Sequence, residues 1–108
     1  MSYHKINRIL VIGLGLIGGS LAKALKRKQF ATLIAGFDMS PDEVRQGLEL
    51  DVIDEGFNEL AACVPIADLI VLAVPVKATH QVLEQIKPLL SSHTIITDVG
   101  STKANVVA

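Results

Sequence analysis

The sequence predicts an α/β fold, a doubly wound, mostly parallel sheet with helices on both faces. Short β-branched apolar runs alternate with stretches whose apolar residues recur at helical spacing, which calls for crossover connections and parallel strands. One run, "ADLIVLAV" (67–74), is apolar on both faces, as a strand inside a covered parallel sheet is. The first run, "INRILVI" (6–12), is closed by glycine and followed at once by a helical pattern.

The elements follow in order. After the strand at 6–12, "LIGGSLAKALKRK" (16–28) carries Ile17, Leu21, Ala24 and Leu25 on one helical face, with its cations gathered at the end the dipole favours. "TLIAGF" (32–37) is a second strand ending at Asp38. "SPDEVRQGLEL" (40–50) opens a helix with Ser40 as N-cap, Pro41 in the first turn, and Asp42 and Glu43 near the positive end. Residues 51–67 are less regular, with a short helix or turn and a brief strand near Phe57. The strand at 67–74 comes next, then a helix after Pro75, "VKATHQVLEQIKPLL", with Val76, Thr79, Leu83, Ile86 and Leu90 on one stripe. "HTIITDV" (93–99) is a further strand, and "STKANVVA" (101–108) starts a helix with no stop signal. Sheets of this type have about six strands in two halves, so residues 1–108 are expected to be one incomplete domain.

Composition narrows the function. The chain has 108 residues, half of them apolar, and a net charge of −1, enough for one small core. The charge balance argues against a nucleic-acid partner, because the one basic cluster, "KALKRK", ends an amphipathic helix. Aromatic residues, at 4%, offer no stacking platform for bases. The single cysteine, Cys63, permits neither an internal disulfide nor a thiolate metal site, and fits a reduced cytoplasmic setting. "MSYHKINR" is polar and the apolar run behind it is too short to span a bilayer, so no membrane role is expected.

The chemistry lies at the first turn. Gly13, Gly15 and Gly18 in "VIGLGLIGGSLA" have the G-x-G-x-x-G spacing directly between a strand and a helix, the context a dinucleotide fingerprint requires. Gly13 permits the tight turn, Gly15 lets backbone approach a pyrophosphate, and Gly18 lets helix and strand pack closely. Leu16 and Ile17 complete the loop at the helix start, where amides face the phosphates. A nucleotide-triphosphate loop is excluded, since Gly19 and Ser20 stand where Lys and Ser/Thr would be needed. Asp38 ends the second strand 20 residues after Gly18, placed to accept both ribose hydroxyls of the adenosine half. A carboxylate there repels a 2′-phosphate, and Arg45 lies a turn or two into the next helix, so NAD is favoured over NADP. The bland readings are a ligand-free glycine turn and an aspartate that begins a turn before Ser40.

Several stretches in order resemble the prephenate/arogenate dehydrogenase family of tyrosine biosynthesis: "GLGLIGGSLAKAL", "GFDMSPDEVRQGLELDVIDE", "ADLIVLAVPV" and "IITDVGSTK". The most specific part is Gly19-Ser20-Leu21-Ala22 after the glycine motif. One departure is Asp51, where the family often has glycine in "ELGVID", and it bears on the backbone of that turn. The resemblance covers nearly the whole chain but only the N-terminal part of such an enzyme. It implies an NAD(P)-dependent oxidative decarboxylation of prephenate, or the corresponding reaction of arogenate. Hydride leaves the hydroxyl-bearing ring carbon for nicotinamide, and carbon dioxide departs as the ring becomes aromatic, giving 4-hydroxyphenylpyruvate from prephenate. It also implies that Ser101 hydrogen-bonds the reacting hydroxyl and helps orient a catalytic histidine. That histidine, in a His-Pro segment, and a substrate-holding arginine in a helical second domain are not among these 108 residues. The parent enzyme is expected to be a homodimer through that second domain.

His4 and His93 are at the wrong edge to act as a base, because ligands sit outside the carboxyl ends of the strands. His80, about a turn into the helix after Pro75 and beside its apolar stripe, reads as a boundary residue rather than a base. Val74 and Pro75 end a strand where nicotinamide-binding folds set apolar backbone against the cofactor. Ser101 has two readings: a simple helix cap before Thr102, or a group beside the nicotinamide. Lys77 and Lys103 read as surface charges. Two other functions stay open: a different dehydrogenase with the same fold, of the 6-phosphogluconate or hydroxyisobutyrate type, and a non-catalytic NAD-binding module. The first usually has a "GLGxMG" loop, which Leu16-Ile17 followed by Gly19-Ser20 does not match.

Overall fold

A computed structural model describes residues 6–28 and 31–98. Five strands, β1 (Ile6–Ile12), β2 (Ala31–Phe37), β3 (Glu55–Phe57), β4 (Leu69–Leu72) and β5 (Ile95–Asp98), form one sheet in the order β3-β2-β1-β4-β5. Every pairing is parallel. The chain lays β2 and β3 outward on one side of β1, then crosses over to add β4 and β5 on the other. That reversal beside β1 opens a crevice at the carboxyl ends of the strands, where such sheets bind ligands.

Four helices cover the sheet: α1 (Leu16–Lys28), α2 (Pro41–Glu49), α3 (Leu60–Cys63) and α4 (Val76–Ile86). Side-chain alternation along the strands divides the core in two. Ile9, Val11, Ile34 and Val71 face α1 and α2, packing with Ala22 and Val44. Leu10, Ile12, Ala35, Phe37, Ile70 and Leu72 point the other way, against Cys63, Val64 and Ile86 of the α3–α4 layer. Helices therefore cover both faces, and the doubly wound architecture is the observed one. Burying each such aliphatic side chain is worth roughly 1.5–3 kcal/mol, which is why the register of these strands is fixed.

Several sequence expectations need correction in detail. On α1 the buried face runs through Gly18, Leu21, Ala22 and Leu25, while Ala24 is exposed. Ala22 lies one residue from the predicted stripe, because Gly18 lets the helix sit close on β1 and rolls the contact toward the small residues. On α4, Val76 is 66% exposed, and the packed residues are Val82, Leu83 and Ile86. That helix ends at Ile86, and Lys87–Leu89 continues as one 3-10 turn around Pro88, which cannot donate to an α-helical ladder. Strand β4 is shorter than 67–74, spanning Leu69–Leu72. The helix expected from Ser101 onward and His4 lie outside the described residues. Among those described, no helix is long and apolar enough to cross a membrane.

The amino-terminal edge of the sheet is closed by its own charges. Asp68 Oδ2 accepts the amides of Asn7 (3.2 Å) and Arg8 (3.0 Å), and its Oδ1 lies 3.0 Å from His93 Nε2. Asp54 accepts the amide of Ile34 at 2.9 Å and pairs with Lys26 at 2.8 Å. Lys26 also reaches Asp51 at 2.6 Å, and Arg8 reaches Glu55 at 3.3 Å. The Arg8 amide, with His93 and Asn7 adding to it against the cost of burial, holds the Asp68 carboxyl below its ordinary value. Burial pushes Asp54 the other way, but the Ile34 amide and Lys26 outweigh it and lower it too.

Candidate functional site: the loop and cleft at the carboxyl edge

The turn from Ile12 to Leu16 is where the three motif glycines separate by cause. Gly13 has φ +98°, a left-handed conformation that side chains rarely adopt, and a Cβ there would lie 2.7 Å from the Ala73 carbonyl oxygen. Gly18 is buried, and a Cβ on it would fall 1.6 Å from the Gly13 carbonyl oxygen. Packing within the chain accounts for both. Gly15 is different: it is exposed, and among the described residues a Cβ there would meet nothing within 4 Å. No described residue gives it an internal reason to be glycine, and the space above it is open.

Helix α1 opens from this loop. Its first helical bond runs from the Gly19 amide to the Gly15 carbonyl at 2.8 Å, which leaves the backbone amides of Leu16, Ile17 and Gly18 without helical acceptors. No acidic residue occupies the first turn, so the positive end of the dipole is uncompensated. The side chains of Leu16 and Ile17 fall outside what the structure describes. An anion such as a pyrophosphate suits this combination of bare amides and unobstructed approach.

Asp38 stands next to the loop at the end of β2. Its Oδ2 accepts the Leu14 amide at 2.8 Å and its Oδ1 the Ser40 amide at 2.9 Å. Its own amide donates to the Phe57 carbonyl at 3.3 Å, and Asn58 Nδ2 donates to its carbonyl at 3.1 Å. An ionised carboxylate has about four acceptor positions, so two remain for hydroxyl donors. Ser40 sits in extended backbone before α2, as an N-cap should, yet its hydroxyl makes no capping bond. Ser40 is thus the N-cap residue by position but without its side-chain bond: its main-chain amide is held on Asp38, and Asp42 and Glu43 supply the charge at that helix start.

Gly13, Asp38, Val74 and Pro75 are brought together on one cleft of about 620 Å³. Its walls are apolar residues from β1, β2, α3 and α4, namely Ile12, Phe37, Leu60 and Val82, with Asn58, Gln81 and Gln85 adding amide groups. Met39, 86% exposed, stands at the mouth. Asp38 is the one charged side chain among the described residues lining it. A flat heterocycle attached to a ribose fits such a slot, with the ribose toward Asp38 and the phosphates toward the glycine loop. Sequence reading missed Met39, Asn58, Leu60, Gln81 and Gln85, which carry no motif and meet only through the fold. A helical stripe on α4 with glutamines beside it was the one available signal.

Other candidates sit elsewhere. Arg45 is engaged with Asp42 at 2.6 Å on the exposed face of α2. His80 is exposed on α4 and does not line the cleft, and His93 lies at the opposite edge with Asp68. Cys63 is buried, and burial pushes its thiol up to about 11, as an unactivated cysteine should be. Lys77 is exposed, and Ser101 and Lys103 lie outside the described residues.

Known proteins of similar shape and sequence can now be set beside this geometry. The family model "Prephenate dehydrogenase, nucleotide-binding domain" matches residues 21–108. Prephenate dehydrogenase of Bacillus subtilis is 41% identical over 100 residues, covering 92% of this chain and 27% of that protein. A crystal structure of the A. aeolicus prephenate dehydrogenase in complex with hydroxyphenyl propionate and NAD+ superposes with a TM-score of 0.82 at 30% identity, over 90% of this chain and 34% of that one. Synechocystis arogenate dehydrogenase superposes with a TM-score of 0.78 at 34% identity, over 85% of this chain and 32% of that one. The chain thus spans between 27% and 34% of the length of these relatives.

Proposed function

The chain belongs to the prephenate dehydrogenase family, and we propose that it is the NAD-binding part of an enzyme that oxidatively decarboxylates prephenate or arogenate. The observation that carries this reading is Gly15, the one motif glycine whose missing side chain leaves space open to solvent rather than relieving a clash. NAD, when bound, accepts the hydride that leaves the substrate ring. The residues of this chain bind and orient it. The Gly13–Gly18 loop offers backbone amides to the pyrophosphate, and Asp38 accepts the adenosine ribose hydroxyls. Phe37, Leu60, Val74 and Val82 exclude water from the base, and Pro75 caps the start of α4 beside it.

Asp38 also sets the choice of cofactor. A 2′-phosphate would meet a carboxylate with no cation among the described cleft residues, and Arg45 is already paired with Asp42. Ser101, three residues after β5 in the sequence, is assigned to the reacting hydroxyl by family resemblance. No described cleft residue besides Asp38 can transfer a proton, so hydride chemistry requires groups beyond this cleft. Residues 1–108 accordingly serve as the cofactor-binding domain, in a reduced cytoplasmic setting that suits the free thiol of Cys63.

Calorimetry tests the reading. NAD should bind at least about tenfold more tightly than NADP, the equivalent of ~1.4 kcal/mol for one unfavourable charge contact. Tighter binding of NADP would overturn the role of Asp38.

A further inference from the structure

Asp38 has been assigned to a ribose, which would make its charge useful only once cofactor is present. Its hydrogen bonds show a second task. Oδ2 accepts the amide of Leu14, the residue between Gly13 and Gly15, at 2.8 Å. Leu14 lies between β1 and α1, where neither a ladder nor a helix supplies that amide with an acceptor. The other end of Leu14 is fixed as well: its side chain is buried in the core beneath α1 and α2, against Gly36 of β2. Asp38 is itself braced from β3, through the Phe57 carbonyl and the Asn58 amide.

We propose that Asp38 is a positioning residue for the glycine loop, holding the phosphate-receiving turn in shape through the Leu14 amide before any cofactor arrives. The proposal rests on reading that loop as a phosphate site. Charge alone would argue against this placement, because a carboxylate beside an anion site repels the anion. The carboxylate is useful to phosphate binding only if the order it imposes on the loop outweighs that repulsion. Charge-assisted bonds to backbone amides are roughly twice as strong as neutral ones, which makes Asp a better latch than Asn or Ser. Replacing Asp38 to admit NADP would therefore loosen the cradle that both cofactors share.

Inorganic pyrophosphate separates the two roles because it has no ribose. If Asp38 served the ribose alone, Asp38→Asn would remove a repulsive charge and tighten pyrophosphate binding. The latch reverses the sign: Asp38→Asn should weaken pyrophosphate at least about threefold and speed exchange of the Leu14 amide proton at least about tenfold, the loss of one charged hydrogen bond. Nuclear magnetic resonance reads both. The unsubstituted chain supplies a measurement independent of the variant's folding, a through-hydrogen-bond coupling from the Leu14 nitrogen to the Asp38 carboxylate carbon in the absence of ligand. Absence of that coupling, absence of pyrophosphate binding, or unchanged or tighter pyrophosphate binding in Asp38→Asn overturns the proposal. A chain that binds pyrophosphate through an intact latch yet ignores NAD would sink the cofactor reading and leave this one standing.

Discussion

The two edges of the sheet are built on opposite plans. At the amino-terminal edge, acids and bases from different elements satisfy one another: Asp68 with His93 and two β1 amides, Asp54 with Lys26 and the Ile34 amide, Arg8 with Glu55. At the carboxyl-terminal edge, the described cleft is lined by one carboxylate, Asp38, two of whose acceptor positions stay free, and beside it lies a helix start with no acid in its first turn. The same contrast separates two neighbouring helices. Helix α2 begins with Ser40, Pro41, Asp42 and Glu43, its positive end answered by its own sequence. Helix α1 begins at a glycine turn and answers nothing. One edge closes the fold, and the other leaves polar groups for a ligand.

The contrast can be broken most severely at Gly18. A Cβ 1.6 Å from the Gly13 carbonyl oxygen cannot be accommodated without parting α1 from β1. Gly18→Ala should cost more than about 3 kcal/mol, read as a large drop in melting midpoint, because overpacking here meets backbone rather than a movable side chain. A melting midpoint near that of the unsubstituted chain would show the loop to be pliant.

The closed edge makes a different prediction. Asp54 and Asp68 both titrate below the ordinary value of 3.8 in the folded chain. Their stabilisation is complete above that value and is lost as pH falls through the folded values. The melting midpoint should therefore drop below about pH 4. Asp68→Asn should lower neutral-pH stability by about 1 kcal/mol, through a weaker acceptor for Arg8 and His93, and should shrink the acid loss. Cofactor affinity should not move, since Asp68 is at the far edge. An acid response as steep in Asp68→Asn as in the unsubstituted chain would place the titrating groups elsewhere.

The smallest effect is expected at Asp51, whose φ of +60° is the left-handed conformation that glycine takes without strain. Asp51→Gly should relieve that strain and lose an exposed contact to Lys26, which keeps Asp54. The two terms are each about 0.5 kcal/mol and opposite, so denaturant midpoints should nearly coincide. Asp51→Ala, which keeps the strain and loses the contact, should be less stable than either.

How much was legible follows from where the information resides. The bounds of β1 and α1 follow from local pattern, and Ile6–Ile12 and Leu16–Lys28 are the observed spans. The left-handed turn at Asp51 was signalled by an aspartate standing where relatives often have glycine. The roles of Gly13 and Gly18 in packing could be named from spacing, but not that Gly15 alone lacks an internal cause, which needs coordinates. The Leu14–Asp38 bond spans 24 residues and has no sequence signature. Val76 misled the reading of α4 because periodicity cannot tell a core stripe from an apolar residue at a helix mouth. The cleft glutamines were silent for a related reason, since an amide beside a stripe looks like surface until the facing wall is known.

The central claim is that Gly15 is glycine for the sake of a ligand. Gly15→Ala tests it when thermal unfolding and NAD titration are measured on the same preparation. Stability should stay within about 1 kcal/mol, since the lower entropy of the unfolded chain, which favours folding, and a poorer cap nearly offset. NAD affinity should fall at least about tenfold, because the methyl occupies the approach to the pyrophosphate. Unchanged NAD affinity in a stably folded Gly15→Ala chain would contradict the account.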